Sequence, residues 1–308
     1  MGLVVALAGG VGAAKLLRGL VQVVPPQNLV IVGNTGDDVE LYGLHVSPDL
    51  DTVMYTLAGV VDEAKGWGVA DDTFHCLEML GKLGFETWFR LGDRDLAIHV
   101  LRTAMLKKGM PLSQATAELC RMLGVRVTLM PMSNDAVRTK VLSGKRQLDF
   151  QEYFVKRETM DYVSGVTFEG AERAKPVPGM LKAIKEADRV VLCPSNPILS
   201  VSPILSISSI RDALTKTSAY VVGVSPIVGG KALKGPADRI MASMGLEVSA
   251  FGVAKFYEDL IDGFVIDAVD EQERFRMEKL GVKVVVTNTM MKSVEDSVRL
   301  AKVVMSTK

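Results

Sequence analysis

No charge of either sign dominates the chain: 36 lysines and arginines meet 36 aspartates and glutamates across 308 residues. Without a net field to steer it toward a polyanion, nucleic acid and anionic membrane drop out as default partners, and a small molecule remains. Cysteine is scarce. Cys76, Cys120 and Cys193 stand far apart with no CxxC pair, which argues against a zinc ribbon and a disulfide framework and fits a cytoplasmic protein. Long apolar runs are missing too. The opening "MGLVVALAGGVGAAK" is broken by glycines within about ten residues and has no basic leader, so it reads as a buried strand, not a signal peptide or membrane span. Histidine is limited to His45, His75 and His99. His75 follows Asp71 by four residues, but no third ligand has metal-site spacing; His45 and His99 are expected to be structural. The absence of a GxSxG elbow and of a GxxxxGK[ST] loop argues against serine-hydrolase chemistry and a Walker-type site.

What the chain has is apolar mass, 48% of its residues, enough for one large core. β-Branched runs recur at Leu3–Ala8, Leu29–Val32, Val125–Met130, Val190–Cys193, Tyr220–Val224, Phe264–Ile266 and Val284–Thr287. Most are continuously apolar, as strands covered on both faces are. Helical patterns lie among them at Ala13–Val23, Gly179–Ala187, Pro203–Leu214, Ala237–Met244 and Val294–Val304. The alternation predicts a Rossmann-like α/β fold, a mostly parallel sheet with helices on both faces, built from 1–50 and 176–308 with a strand from 124–137. Residues 51–123 break the rhythm with helical patterns at Asp51–Val61, Asp71–Leu83, Asp95–Lys107 and Leu112–Leu123, and should form a helical excursion. Residues 138–175, where "DFQEYFV" sets Phe150, Tyr153 and Val155 partly out of phase, suggest a small mixed lobe.

Four segments carry chemistry, each at the end of a predicted strand. In "AGGVGAAKLLRGL", Gly9, Gly10 and Gly12 permit a tight turn, and the helix start beyond them offers unpaired N–H groups to an anion. Lys15 stands where GxGxxG would have its third glycine, so the turn reads as a phosphate cradle or as a plain β–α connection. "GNTGDD" offers Asn34 and Thr35 for hydrogen bonding. Its adjacent carboxylates, Asp37 and Asp38, repel unless solvated, paired or metal-bound; they suit a magnesium ion or ribose hydroxyls, or else an ordinary turn. "CPSNPILSVSPIL" holds Ser195 and Asn196 between two prolines and runs on to Ser200 and Ser202, a ligand loop or a capping turn. "GVSPIVGGKALKGPA" adds Ser225, Lys231 and Lys234. Ligands of open α/β sheets gather outside the carboxyl ends of the strands, so all four converge on one crevice.

These segments, with "LHVSPDLDTVMYTLAG", "GWGVADDTFHCLEMLGKLG" and "WFRLGDRDLAIHVLRT", run in family order over nearly the whole chain, which resembles the 2-phospho-L-lactate transferase family of coenzyme F-420 biosynthesis. The resemblance implies a magnesium-dependent, cytoplasmic, usually dimeric enzyme. Such an enzyme moves a phospholactyl group, or in some members a phosphoenolpyruvyl group, from a guanosine diphosphate-linked donor to the terminal ribityl hydroxyl of the deazaflavin Fo, releasing GMP. It also implies that Asp51 and Arg90 serve Fo and the catalytic step. The bland alternative makes Asp51 the cap of a helix starting at Thr52 and pairs Arg90 with Asp93 or Asp95. Gluconeogenesis-factor regulators are similar to this family, so a non-catalytic nucleotide-sugar-binding regulator is the rival function; Asp51 and Arg90 favour the enzyme. An NAD(P)-dependent oxidoreductase is disfavoured by the interrupted glycine motif.

Overall fold

The computed structural model describes residues 2–308. Seven strands form the central sheet: β1 (Val4–Ala8), β2 (Leu29–Gly33), β3 (Thr128–Pro131), β4 (Arg189–Leu192), β5 (Tyr220–Val224), β6 (Gly263–Asp267) and β7 (Lys283–Thr287). They lie in the order β3-β2-β1-β4-β5-β6-β7, and every neighbouring pair is parallel. Alternate side chains enter opposite cores. Val5, Leu7, Val30 and Val32 pack to one side, whereas Val4, Ala6, Leu29 and Ile31 pack to the other. Two dry faces therefore explain why the runs are continuously apolar. Each fully buried valine, leucine or isoleucine contributes about 1.5–3 kcal/mol.

The chain winds outward from β1 to β3, then returns to lay β4 on the other side of β1. The segments that follow β1 and β4 consequently pack on opposite faces of the sheet and leave a crevice at its carboxyl edge. Helix α1 (Gly10–Val23) follows β1 directly.

Between β2 and β3 lie α2 (Pro48–Ala58), α3 (His75–Lys82), α4 (Asp93–Lys107) and α5 (Leu112–Met122). Proline and two aspartates in its first turn favour the start of α2, and left-handed Gly59 (φ 72°) ends it. This start precedes the Asp51–Val61 pattern, so Asp51 sits inside the first turn and caps nothing. A hairpin that the pattern did not reveal, Val39–Leu41 with Leu44–Val46, precedes α2.

Residues 138–169 contain a three-stranded antiparallel sheet with Arg138–Ser143 between Arg146–Asp149 and Gly165–Glu169. Val141, Leu148 and Tyr153 share one apolar cluster with Val5 and Leu7, so this lobe packs on the main sheet instead of keeping a core of its own. The expected helix Pro203–Leu214 is broken into Ser202–Leu205 and Ser208–Thr215. Among the described residues no helix is long and apolar enough to cross a membrane, and all three cysteines are free.

Candidate active site

A cavity of about 790 Å³ opens at the crevice between β1 and β4. Its floor is the glycine turn. Gly10 is left-handed (φ 72°), and a Cβ on Gly12 would lie 2.1 Å from the Pro194 carbonyl oxygen, so only glycine lets the start of α1 approach the loop after β4. Ser195 pins the two loops together: its Oγ donates to the Gly9 carbonyl at 2.8 Å and accepts from the Gly9 N–H at 3.2 Å. Ser195 lines the cavity as well, but its hydroxyl proton is committed to the scaffold and only an acceptor lone pair remains for a ligand. Asn196 is different. Its Oδ1 accepts from the Ile198 and Leu199 N–H groups, while its buried Nδ2 has no partner and the residue lines the cavity. Ser200 also lines the cavity; Ser202 does not, and donates to the Pro197 carbonyl at 2.8 Å. Lys15 reaches the Met291 carbonyl at 3.2 Å. Burial first, then the nearby Lys234 and Arg18, push its ammonium below its ordinary pKa. Cations crowded at a helix N-terminus make a place for an anion.

Next to this anion site lies its opposite. Asp49 lines the cavity beside the glycine turn, and a Cβ on Gly9 would lie 2.5 Å from its Oδ2. Burial pushes the Asp49 carboxyl up to about 7, against hydrogen bonds from Asn34 and the Gly10 backbone. Asp37, also lining the cavity, is raised well above the ordinary range by burial, by Asp49 and by Asp38. Asn34 bridges them, its Nδ2 lying 2.9 Å from Asp49 Oδ2 and 3.4 Å from Asp37 Oδ1. The sequence reading paired Asp37 with Asp38. In the fold Asp38 turns away from the cavity, its Oδ2 3.0 Å from His45 Nε2, and Asp49 takes its place. Asn34 and Thr35 are fully buried behind the carboxylates and orient the turn instead of lining the cavity.

Neither Asp37 nor Asp49 has a cation at ion-pair distance among the described residues. An anion held by the glycine turn would add to their repulsion, so a cation between them is the natural complement. Among the described residues no three His, Cys, Asp or Glu side chains are grouped to hold a metal ion alone. Magnesium does not require such a cage, since it takes one or two carboxylates together with substrate phosphates and water. Asp37 and Asp49 fit that donor set.

Trp67, Trp88, Phe89, Phe150 and Phe154 give the cavity an aromatic lining, Trp67 following the Gly66 that abuts Val11 of α1. Arg90 lies in the loop before α4, its guanidinium 4.4 Å from the Phe74 ring centre. It pairs with neither Asp93 nor Asp95: Asp93 accepts from Thr73 and from backbone at the start of α3, and Asp95 accepts from Tyr55. Asp51 lines the cavity but is buried, and Arg102 grips both its oxygens. His99, expected to be structural, also lines the cavity. Sequence reasoning missed Asp49 and Arg102. The signal for Arg102 was present, because Asp95, His99 and Arg102 recur at helical spacing opposite Asp51 and Tyr55.

Comparison with known proteins identifies the family and the fold. The model of the 2-phospho-L-lactate transferase CofD family matches residues 4–304. A Streptomyces coelicolor protein named phosphoenolpyruvate transferase is 45% identical over 305 residues, covering 97% of this chain and 96% of that one. A Methanocaldococcus jannaschii 2-phospho-L-lactate transferase is 42% identical over 300 residues, covering 96% and 95%. The crystal structure of a UPF0052 family member from Bacillus halodurans shares the fold, with a TM-score of 0.65, 17% identity and 99% coverage of both chains. The chain is an enzyme and belongs to the 2-phospho-L-lactate transferase family.

Proposed function

We propose that the protein transfers a phosphoenolpyruvyl or 2-phospho-L-lactyl group from a guanosine diphosphate-linked donor to the ribityl hydroxyl of Fo. The observation that carries this reading is one cavity with three chemically distinct kinds of lining: an anion cradle at α1, a buried carboxylate pair without an ion-pair partner beside it, and aromatic side chains. Relatives bearing both transferase names match nearly the whole chain. The diphosphate suits the Gly10–Gly12 turn, Lys15 and the unpartnered Asn196 amide. Asp37 and Asp49 would hold magnesium, which supplies charge neutralisation between carboxylates and phosphates. The flat deazaflavin suits the tryptophans and phenylalanines, with Arg90 and Asp51 at its polar edge. The acceptor oxygen forms the new P–O bond while the bond to the GMP oxygen breaks, and the hydroxyl proton is lost. Positioning and charge stabilisation carry most of such a reaction. A cytoplasmic homodimer is part of the reading. Exposed Met79, Leu83 and Phe85 around α3 are side chains a second copy would cover.

The test is GMP release from the guanosine-linked donor with magnesium, with and without Fo. Acceptor-dependent release supports transfer; tight nucleotide binding without release would favour the regulator.

A further inference from the structure

Behind Asp51 stands a buried polar assembly that a phosphate site alone does not explain. Asp51 and Tyr55 are one turn apart on α2, Asp95, His99 and Arg102 form one stripe of α4, and long side chains of the two stripes reach each other. The Arg102 guanidinium donates to both oxygens of Asp51, with Nη1 3.0 Å from Oδ2. The same Nη1 lies 3.3 Å from His99 Nδ1, and His99 Nε2 faces Asp95 Oδ1 at 3.1 Å. Tyr55 donates to that Asp95 oxygen at 2.5 Å. Asp51, Tyr55, Asp95 and His99 line the cavity; Arg102 does not, and is 1% exposed.

Stability gives this assembly little reason to exist. A buried ion pair roughly breaks even with apolar side chains of the same volume. Arg102 also leaves its buried Nε without a hydrogen-bond partner, a further cost. What the fork does supply is direction. With one N–H on each oxygen the Asp51 carboxylate is held in one orientation, and acceptor capacity remains on a residue that lines the cavity.

We propose that Arg102 is a positioning residue that fixes Asp51 for hydrogen bonding to the hydroxyls of the acceptor, with His99 and Asp95 bracing the fork from behind. This rests on the acceptor reading proposed above. Arg102 touches no ligand itself and acts through Asp51.

The experiment is a double-mutant cycle read as KM for Fo, kcat, GDP affinity and thermal midpoint. Arg102→Lys keeps the charge and removes the fork. It is expected to raise KM for Fo about tenfold or more with GDP affinity unchanged. In an Asp51→Asn background the same substitution should change KM less than about twofold, because the group it positions is gone. A purely structural Arg102 would lower the thermal midpoint and leave KM for Fo unmoved, and that result would overturn the proposal, as would effects that simply multiply. His99→Phe removes the contact behind Arg102 Nη1 and leaves both Arg102–Asp51 partners in place. It should give a smaller KM rise that also vanishes with Asp51→Asn, so the proposal stays testable if Arg102→Lys does not fold; a rise that persists would overturn it. Wild-type protein with no saturable response to Fo would overturn the acceptor reading as well, whereas equal Fo response in wild type and Arg102→Lys would overturn the positioning role alone.

Discussion

Replacing Asp49 by asparagine should make the metal-free protein more stable and the enzyme inactive. Its carboxyl goes from 3.8 in the free residue to about 7 in the fold, chiefly through burial. A carboxyl raised by folding holds its proton more tightly in the native state, so native stability falls as pH rises through the window from 3.8 to about 7 and stays reduced above it. Three units at 1.36 kcal/mol each set a ceiling of about 4 kcal/mol. Asparagine keeps one acceptor oxygen for the Gly10 and Asn34 donors and loses the other, which costs about 1 kcal/mol. The net gain at pH 8 is then about 3 kcal/mol, or about 5 °C in thermal midpoint for a chain of 308 residues. Removing the Asp49 charge also relieves Asp37, whose carboxyl it helps push up after burial. The assay is thermal unfolding from pH 5 to 8 with chelator present, wild type against Asp49→Asn. The variant should gain on the wild type as pH rises. Parallel curves, or a less stable variant at pH 8, would refute the electrostatic account of this pair.

Asp37→Asn should raise the magnesium needed for half-maximal turnover, while Asp38→Asn, which faces His45, should leave it unchanged; the reverse would restore the adjacent pair as ligands. Gly12→Ala sets a Cβ 2.1 Å from the Pro194 carbonyl oxygen, and calorimetry should find GDP affinity lowered by more than about tenfold, since backbone on both sides must shift. Arg90→Lys should raise KM for Fo about tenfold with GDP binding intact; an unchanged KM would leave Arg90 as a surface residue stacked on Phe74.

The seven apolar runs all became strands; burial on both faces leaves an unmistakable composition in the inner ones, and Val4–Ala8 and Leu29–Gly33 needed no tertiary information. The Val39–Leu41 hairpin escaped because its strands are short and only partly buried. At the site, Gly10 and Gly12 were legible because a tight turn into a helix demands them, and Lys15 because it stands within two turns of that helix start. Direction was not legible. Nothing in "GNTGDD" tells that Asp38 turns to His45, that Ser195 spends its hydroxyl on Gly9, or that Asp49 swings into the place beside Asp37 from the next helix. Arg102 lies 51 residues from the carboxylate it holds, and only the packing of α4 against the Leu44–Val46 strand and α5 brings its long side chain within reach.

The central claim is transfer to a hydroxyl acceptor, and mass spectrometry of the acceptor tests it most directly. The protein is incubated with Fo, magnesium and the guanosine-linked donor, and the acceptor product and GMP are counted in the same sample. The account predicts one phosphodiester-linked Fo for each GMP released, with the added mass identifying the phosphoenolpyruvyl or phospholactyl group. GMP release without a modified acceptor, or Fo and donor recovered unchanged by folded protein, would contradict it.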